Sequence, residues 1–268
     1  MITTNKFSYI HLPKTGGTFV TDALFKVYQL DWTIWNRLTI LFTGKVCYNT
    51  PYGYFLVHGP KHPSIKEIEL KYRNLPILTN IRNPLDLYVS EFEFGWWKRK
   101  KYLKYYRQIK DFKTKFKNYP DLTFQEFIEL QYDAFSFPGN GEFSNENGIG
   151  INSKIFLSTY VEDSERIANE FINGTISSKI LDEKFLSNIN FLLTHNLNTG
   201  LYNFLKQMGF QEDKIKFIIK KEKVLPLGKG RTKEQKWEKY YTEDLKQLIL
   251  EKDRLLFELF PEFLPKTH

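Results

Sequence analysis

The segment Pro13 to Thr18 reads PKTGGT and combines a lysine, two glycines and two threonines. Two adjacent glycines permit a tight turn and let backbone N–H groups come close to an anion. A helix that begins at this point would add its dipole and its unpaired N–H groups. The segment therefore predicts a phosphate or sulfate site, with a plain strand-to-helix turn as the alternative. The predicted anion-binding residues are Lys14, Thr15, Gly16, Gly17 and Thr18.

The position of the lysine distinguishes this segment from a Walker A loop. The Walker A pattern GxxxxGK[ST] has its lysine directly after the second glycine. Here Lys14 precedes both glycines. The order argues against ordinary ATP or GTP chemistry.

Arg82 is the centre of a second anion-binding candidate, in the segment Ile81 to Pro84, which reads IRNP. An arginine side chain can bind a phosphate with two parallel hydrogen bonds, and a proline suits the first turn of a following helix. Ser90 would lie about two turns along that helix. An isolated arginine at a strand end more often makes a structural ion pair. Together with the first segment, Arg82 and Ser90 predict a second phosphate contact.

Two of the five histidines, His58 and His62, lie between the two anion motifs. Attack by a hydroxyl group requires a base that removes its proton, and histidine is the side chain most often used. Most single histidines are structural, but two in one short segment favour a function. His11 is interpreted as a packing residue whose ring could line the site.

The elements that position these residues follow from the spacing of apolar side chains. Strands are predicted at Phe7–Leu12, Tyr54–Val57, Pro76–Ile81, Ile155–Tyr160 and Asn190–Leu193. Helices are predicted at Thr18–Tyr28, Ser64–Tyr72, Leu85–Trp97, Glu162–Asn173 and Thr199–Met208, with a helical segment at Lys98–Asp133 and a long helical tail at Thr232–Phe260. The pattern at Lys214–Lys221 is ambiguous, and Gly, Asn and Ser residues predict a loop at Phe135–Asn152. Strands that alternate with helices predict an α/β fold with a central, mostly parallel sheet flanked by helices.

Length and composition limit the class of protein. A chain of 268 residues fits one domain over residues 1–268. The single cysteine, Cys47, excludes a disulfide framework and a cysteine-based metal site. No signal peptide is evident, and no apolar run approaches the ~20 residues of a membrane helix. We therefore expect a cytoplasmic protein without a membrane span. A formal net charge of +8 favours anionic ligands.

The two anion motifs carry a family resemblance. The segment YIHLPKTGGTFV resembles the 5′-phosphosulfate-binding loop of sulfotransferases that use 3′-phosphoadenosine 5′-phosphosulfate (PAPS), in the branch of the heparan sulfate 2-O- and 6-O-sulfotransferases and many bacterial glycan sulfotransferases. The segment TNIRNPLDLYVSEF resembles the 3′-phosphate motif of that family, in which Arg82 and Ser90 match. Leu87 stands where relatives commonly have a basic residue. The resemblance covers about residues 7–95.

This resemblance implies a single domain with a P-loop-like three-layer fold and no metal requirement. It implies that the PKTGGT segment holds the 5′-phosphosulfate and that Lys14 also neutralises charge on the leaving oxygen. The segment KHPSIKEI is similar to the one in which this branch places its catalytic histidine, which makes His62 the base and His58 the second candidate. A basic loop before the last helices implies Lys229 and Arg231 as contacts of the 3′-phosphate, with a solvated turn as the alternative. His195 stands roughly where relatives often have an acidic residue.

The function predicted from these features is transfer of a sulfuryl group from PAPS to a hydroxyl of a glycan or another small molecule. One alternative is a P-loop-type nucleotide kinase or other phosphoryl transferase. Another is a non-catalytic module that binds anions or nucleotides. Net charge alone would support a nucleic-acid partner, but no DNA or RNA motif accompanies the lysines, so none is expected. The acceptor and the oligomeric state remain open.

Overall fold

The computed structural model describes residues 1–31, 33–59, 62–135, 148–222, 224 and 235–265. Contacts divide the chain into two units, Met1–Arg82 with Asn188–Gly230 and Asn83–Ser187 with Arg231–His268. Over the described residues, the first unit contains the sheet and the second is helical. A single domain over residues 1–268 stays a prediction.

The described strands form one six-stranded sheet in the first unit. They are β1 (Ile2–Thr4), β2 (Ser8–Ile10), β3 (Lys45–Thr50), β4 (Gly53–His58), β5 (Ile77–Ile81) and β6 (Ile189–Leu193). Their order across the sheet is β3-β4-β1-β2-β5-β6. β5 lies parallel to both β2 and β6, with Tyr9 opposite Leu78 and Thr79 opposite Phe191. The other neighbouring strands are antiparallel.

The sheet is therefore mixed, and not mostly parallel as predicted. Tight turns cause the difference, because a chain that reverses within two or three residues can only form an antiparallel pair. Between β1 and β2, the hydroxyl of Thr4 accepts hydrogen bonds from the N–H groups of Lys6 and Phe7. Between β3 and β4, the hydroxyl of Thr50 donates to the carbonyl of Gly53. The sequence patterns did not predict β1 and β3, the first partners of these two pairs.

The helices of the described residues account for most of the remaining regular structure. They are α1 (Gly17–Val27), α2 (Ile34–Thr43), α3 (Pro84–Phe94), α4 (Lys100–Tyr106), α5 (Phe112–Lys115), α6 (Phe124–Phe135), α7 (Ile151–Tyr160), α8 (Ser164–Ile172), α9 (Ser178–Leu181), α10 (Leu197–Gln207), α11 (Glu212–Ile215), α12 (Glu243–Lys252) and α13 (Arg254–Leu259). None of them is long and apolar enough to cross a membrane.

The core of the first unit is formed where α1 and α10 pack against the sheet. Val20 and Leu24 of α1 are fully buried, and Phe7 meets Phe204 of α10 edge to face, with ring centroids 5.2 Å apart. Burial of apolar side chains of this size contributes about 1.5–3 kcal/mol each. This packing fixes the start of α1, and hence the PKTGGT segment, against the ends of the strands.

The second unit has an aromatic interior. Trp97 is fully buried and its ring lies 6.1 Å from that of Phe92 and 5.4 Å from that of Phe127. Asp253 is also fully buried, where its carboxylate accepts hydrogen bonds from the N–H of Ser153 and the hydroxyl of Tyr88. Burial raises the pKa of Asp253 to about 6. Aromatic residues make up 17% of the chain, and those of this interior serve packing.

The predicted strand at Ile155–Tyr160 is wrong, because these residues form the last part of α7. Residues on all sides of α7 are buried, and a short apolar run in a buried helix looks the same as a buried strand. The predicted helix at Ser64–Tyr72 consists of two 3₁₀ turns, Ile65–Glu67 and Leu70–Tyr72. The predicted helical tail is divided into a 3₁₀ turn, α12 and α13. Residues 136–147 of the predicted loop and 232–234 of the tail lie outside the described residues.

Candidate active site

One edge of the sheet carries most of the residues that the sequence predicted to be functional. β2, β5 and β6 are parallel, so their carboxyl ends meet at the same edge. β4 points the same way, because both β2 and β4 are antiparallel to β1. The PKTGGT segment follows β2, Arg82 follows β5, Thr194 follows β6 and His58 ends β4. The carboxyl edge of an open α/β sheet is the usual place for a ligand.

The PKTGGT segment forms a turn that requires its two glycines. Lys14 has a φ of 60° and Gly16 a φ of 90°, and the helix α1 begins at Gly17. A Cβ atom at Gly16 would lie 2.4 Å from Cδ1 of Leu197, and one at Gly17 would lie 1.9 Å from the ring of His11. Gly16 is therefore required by its backbone angle and by space, and Gly17 by space alone.

The N–H groups at the start of α1 can bind an anion. Among the described residues, the N–H groups of Gly16, Gly17 and Thr18 make no hydrogen bond to a backbone or side-chain acceptor. Gly16 is left-handed and Gly17 is helical, and such a pair directs successive N–H groups into a concave nest that suits a phosphate or sulfate oxygen. The positive end of the eleven-residue helix α1 adds to the attraction. The exposed side chain of Thr18 adds a hydroxyl at the same place.

Hydrogen bonds to two carbonyl groups hold this turn in position. Nη1 of Arg82 donates to the carbonyl of Lys14 over 2.8 Å. The carbonyl of Thr15 accepts from Nδ2 of Asn80 over 3.3 Å and from Oγ1 of Thr194 over 2.9 Å. Because these bonds occupy carbonyl oxygens, the turn presents its N–H groups rather than its C=O groups to a ligand.

Thr15 faces the protein rather than the solvent. Its side chain is fully buried, and its hydroxyl donates to the carbonyl of Leu12 over 3.0 Å. Its hydroxyl thus stabilises the turn, and the backbone N–H of Thr15 is the group through which it could contact an anion.

Asn80, Tyr9 and Thr194 support the site but were not singled out in the sequence. Asn80 is fully buried in β5, where its Oδ1 accepts a hydrogen bond from the hydroxyl of Tyr9 over 2.8 Å. A polar residue inside the apolar run PILTNI was the available signal for Asn80. Most buried amides are hydrogen-bonded, and the partners of this one position the turn.

His62 lies close to the same turn. Its Nδ1 is 2.7 Å from the carbonyl oxygen of His11, and its ring meets the ring of His11 edge to face at 5.2 Å. A carbonyl only accepts hydrogen bonds, so Nδ1 carries the proton, and in the neutral ring Nε2 carries the lone pair. His62 is exposed. The side chain is therefore oriented by one nitrogen and could accept a proton at the other.

His58 has a more enclosed environment. Its Nε2 lies 3.2 Å from the hydroxyl of Thr3, and its N–H donates to the carbonyl of Met1. Burial lowers the pKa of His58 to about 4. A base with so low a pKa has little tendency to take a proton at neutral pH. Of the two predicted histidines, His58 is therefore the weaker candidate for a base.

The low pKa of His58 predicts a pH dependence of stability. An unfolded histidine titrates near 6.5, so on acidification the unfolded chain takes up this proton before the folded protein does. The wild type should therefore lose stability relative to His58→Gln as the pH falls from about 6.5 to about 4. Urea unfolding of both proteins across this range measures the effect. Two curves that stay parallel would contradict it.

The roles predicted for Ser90, His195, Lys229 and Arg231 stay predictions. Ser90 is buried on α3, in the second unit, so its pairing with Arg82 stays a prediction. His195 is exposed in a 3₁₀ turn directly after Thr194. Lys229 and Arg231 lie outside the described residues.

No cluster of three or more His, Cys, Asp or Glu side chains that could hold a metal ion exists within the part of the chain that the structure describes. The chain matches no protein-family model and no curated protein.

Proposed function

We propose that this protein is a PAPS-dependent O-sulfotransferase, with a carbohydrate hydroxyl as its preferred acceptor. One observation carries the proposal: residues of three separate predicted motifs meet at the segment that joins β2 to α1. Arg82 is bonded to the carbonyl of Lys14 and His62 to that of His11, in the segment that leads to Gly16 and Gly17, whose N–H groups make no hydrogen bond among the described residues. An anion cradle, a guanidinium and an oriented imidazole at one strand edge are the parts that sulfuryl transfer requires.

The reaction assigns one task to each group. The acceptor oxygen forms a new bond to sulfur while the bond between sulfur and the 5′-phosphate oxygen breaks, and adenosine 3′,5′-bisphosphate leaves with the electron pair. Nε2 of His62 takes the acceptor proton. Lys14 and the N–H groups at the start of α1 stabilise the negative charge that develops on the leaving phosphate and on the sulfuryl oxygens.

The resemblance of the two anion motifs to those of PAPS-dependent sulfotransferases supports the same function. On this basis we propose that Arg82 and Ser90 bind the 3′-phosphate, with Lys229 and Arg231 as further contacts. We also propose, on the same basis, that the fold is P-loop-like with three layers. The parallel strands β2, β5 and β6, with the turn between β2 and α1, are the part of the sheet that agrees with that description.

Two other functions are compatible with an anion site. A nucleotide kinase would need a lysine after the second glycine, whereas Lys14 comes before it. A module that only binds anions would not need an imidazole oriented at the edge of the cradle. Mass spectrometry of glycans and lipids after incubation with PAPS and enzyme, in the presence of EDTA, tests the proposal. A sulfate mass increment supports it, whereas activity that requires Mg²⁺ and a nucleoside triphosphate supports the kinase.

The nucleotide site makes a prediction that needs no acceptor. Adenosine 3′,5′-bisphosphate should bind without Mg²⁺, and Lys14→Ala and Arg82→Ala should each weaken binding by about 1.5–3 kcal/mol, because each removes a charge-assisted contact. Arg82→Ala should weaken binding of adenosine 5′-phosphate less, since that ligand lacks the 3′-phosphate. Calorimetry with both ligands measures the difference.

Lys26→Ala is the matched control, because Lys26 is an exposed lysine at the other end of α1. It removes the same charge and should leave both affinities nearly unchanged. Equal losses for the two ligands in Arg82→Ala would remove Arg82 from the 3′-phosphate site. If Lys26→Ala and Lys14→Ala lose the same affinity, Lys14 contributes only through the net charge of the protein and not through a contact with the ligand.

A further inference from the structure

The helix α2 has its apolar face turned to the solvent. Ile34, Trp35, Leu38, Leu41 and Phe42 recur at helical spacing and occupy an arc of about 120°. All five are exposed, with Trp35 at 72%, Leu41 at 75% and Phe42 at 82%. An amphipathic helix of a globular protein normally buries this face against the core. Here the face is left uncovered by the rest of the described chain.

The opposite side of α2 is the side that is attached. Ile40 packs against the core cluster of the first unit. The carbonyl of Gly44, which ends the helix with a φ of 76°, accepts a hydrogen bond from the N–H of Gly59 over 2.7 Å. At the other end, Oδ1 of Asn36 accepts from both the N–H and the hydroxyl of Thr33. Both ends of α2 are thus fixed in a way that presents the apolar face outward.

The charges around α2 are basic. Between Asp31 and Glu67 the sequence contains four basic residues and no acidic one. Lys45, which follows the end of α2, lies 2.9 Å from the carboxylate of Glu69, and Lys71 lies 3.1 Å from the same carboxylate. One carboxylate between two ammonium groups leaves a net positive charge there. Leu70, next to Glu69, is 79% exposed.

We propose that α2 binds the surface of an anionic lipid bilayer, lying in the interfacial plane with its apolar face in the acyl region. Helices that lie in the membrane interface typically have an exposed apolar stripe that includes a tryptophan and is bordered by basic residues. A second copy of the chain is the less suitable occupant. The face presents five apolar side chains, whereas a standard protein interface uses about 20–30 residues on each side.

Vesicle flotation tests this proposal with the full chain. The protein should float with vesicles of phosphatidylcholine and phosphatidylglycerol, float less with phosphatidylcholine alone, and be released partly by high salt, because salt screens the basic border. Leu41→Ser with Phe42→Ser should lower the partition coefficient about tenfold or more, since two inserted side chains are lost. Both residues are exposed, so circular dichroism and thermal unfolding of the double variant should match the wild type.

The matched control is Ile219→Ser with Leu264→Ser, which removes two exposed apolar side chains elsewhere and should leave flotation unchanged. Three results would overturn the proposal. The first is that the protein floats with neither kind of vesicle. The second is that Leu41→Ser with Phe42→Ser floats as well as Ile219→Ser with Leu264→Ser. The third is that sedimentation without vesicles shows a dimer that Leu41→Ser with Phe42→Ser abolishes, which would assign the face to a second copy of the chain. Binding of adenosine 3′,5′-bisphosphate is independent of all three results, so the proposed function is tested separately from this proposal.

Discussion

His62→Ala is expected to lower the rate of sulfuryl transfer by about 10²–10⁴, the usual contribution of a positioned general base. Affinity for adenosine 3′,5′-bisphosphate should stay nearly intact, because His62 is bonded to the carbonyl of His11 and not to the N–H groups of the cradle. Single-turnover transfer from PAPS to a competent acceptor measures the rate of the chemical step, and calorimetry measures the affinity. The expected pattern is therefore a loss of rate without a loss of binding.

Two further variants separate the base from its orientation. His62→Asn can still donate from its amide nitrogen towards the carbonyl of His11 but has no basic nitrogen, so it should be as slow as His62→Ala. His58→Ala should have a much smaller effect, because burial already makes His58 a poor base. An unchanged rate in His62→Ala would remove His62 from the mechanism. A large defect in His58→Ala beside it would transfer the role to His58.

The PKTGGT segment shows what local sequence can predict. A short apolar run, a proline, two glycines and an apolar helical pattern together predict a strand, a turn and a helix, and the structure contains β2 and α1 at these positions. The same logic located β4, β5, α3, β6 and α10 to within a few residues. In each of these cases the side chains near one another in sequence determine the local conformation.

Whether neighbouring strands are parallel or antiparallel depends on which strands pair with each other, and local sequence does not show this. β1 has three residues and β3 alternates between exposed and partly buried positions, so neither has the apolar run by which β2 and β5 were found. Their pairing places three antiparallel contacts in the sheet. α7 fails for a related reason, since burial around the whole helix removes the periodicity that identifies a helix.

The supporting residues of the site show the same limit. Thr194 is 179 positions from Thr15 along the chain, and Asn80 is 65 positions from it. Only the order of the strands places both beside the turn. Lys14, Arg82 and His62 could be selected because their side chains have chemistry of their own. Asn80 and Thr194 act by donating hydrogen bonds to the backbone carbonyl of Thr15. Their roles can therefore be recognised only once the arrangement of the strands is known.

Gly17→Ala should disrupt the site although it adds one methyl group. The new Cβ atom would lie 1.9 Å from Cδ2 and Nε2 of His11, and that ring packs against the rings of both Tyr9 and His62. In a helix, alanine is favoured over glycine by up to about 1 kcal/mol, whereas overpacking costs about 1–3 kcal/mol. The cost exceeds the gain when the ring cannot move freely. We expect weaker binding of adenosine 3′,5′-bisphosphate, by about tenfold, together with slower transfer as His62 is displaced.

Gly200→Ala is the matched control, because Gly200 is also a helical glycine of the first unit, and its nearest contact is 3.2 Å to Cδ2 of Leu192. It should leave binding unchanged and alter stability by less than about 1 kcal/mol. The double variant His11→Ala with Gly17→Ala removes the ring that causes the clash and should recover most of the affinity lost in Gly17→Ala. Calorimetry on the three variants decides the point. If the double variant binds as weakly as Gly17→Ala, the glycine is required by something other than His11, and the packing of the two histidines at the start of α1 has no part in forming the cradle.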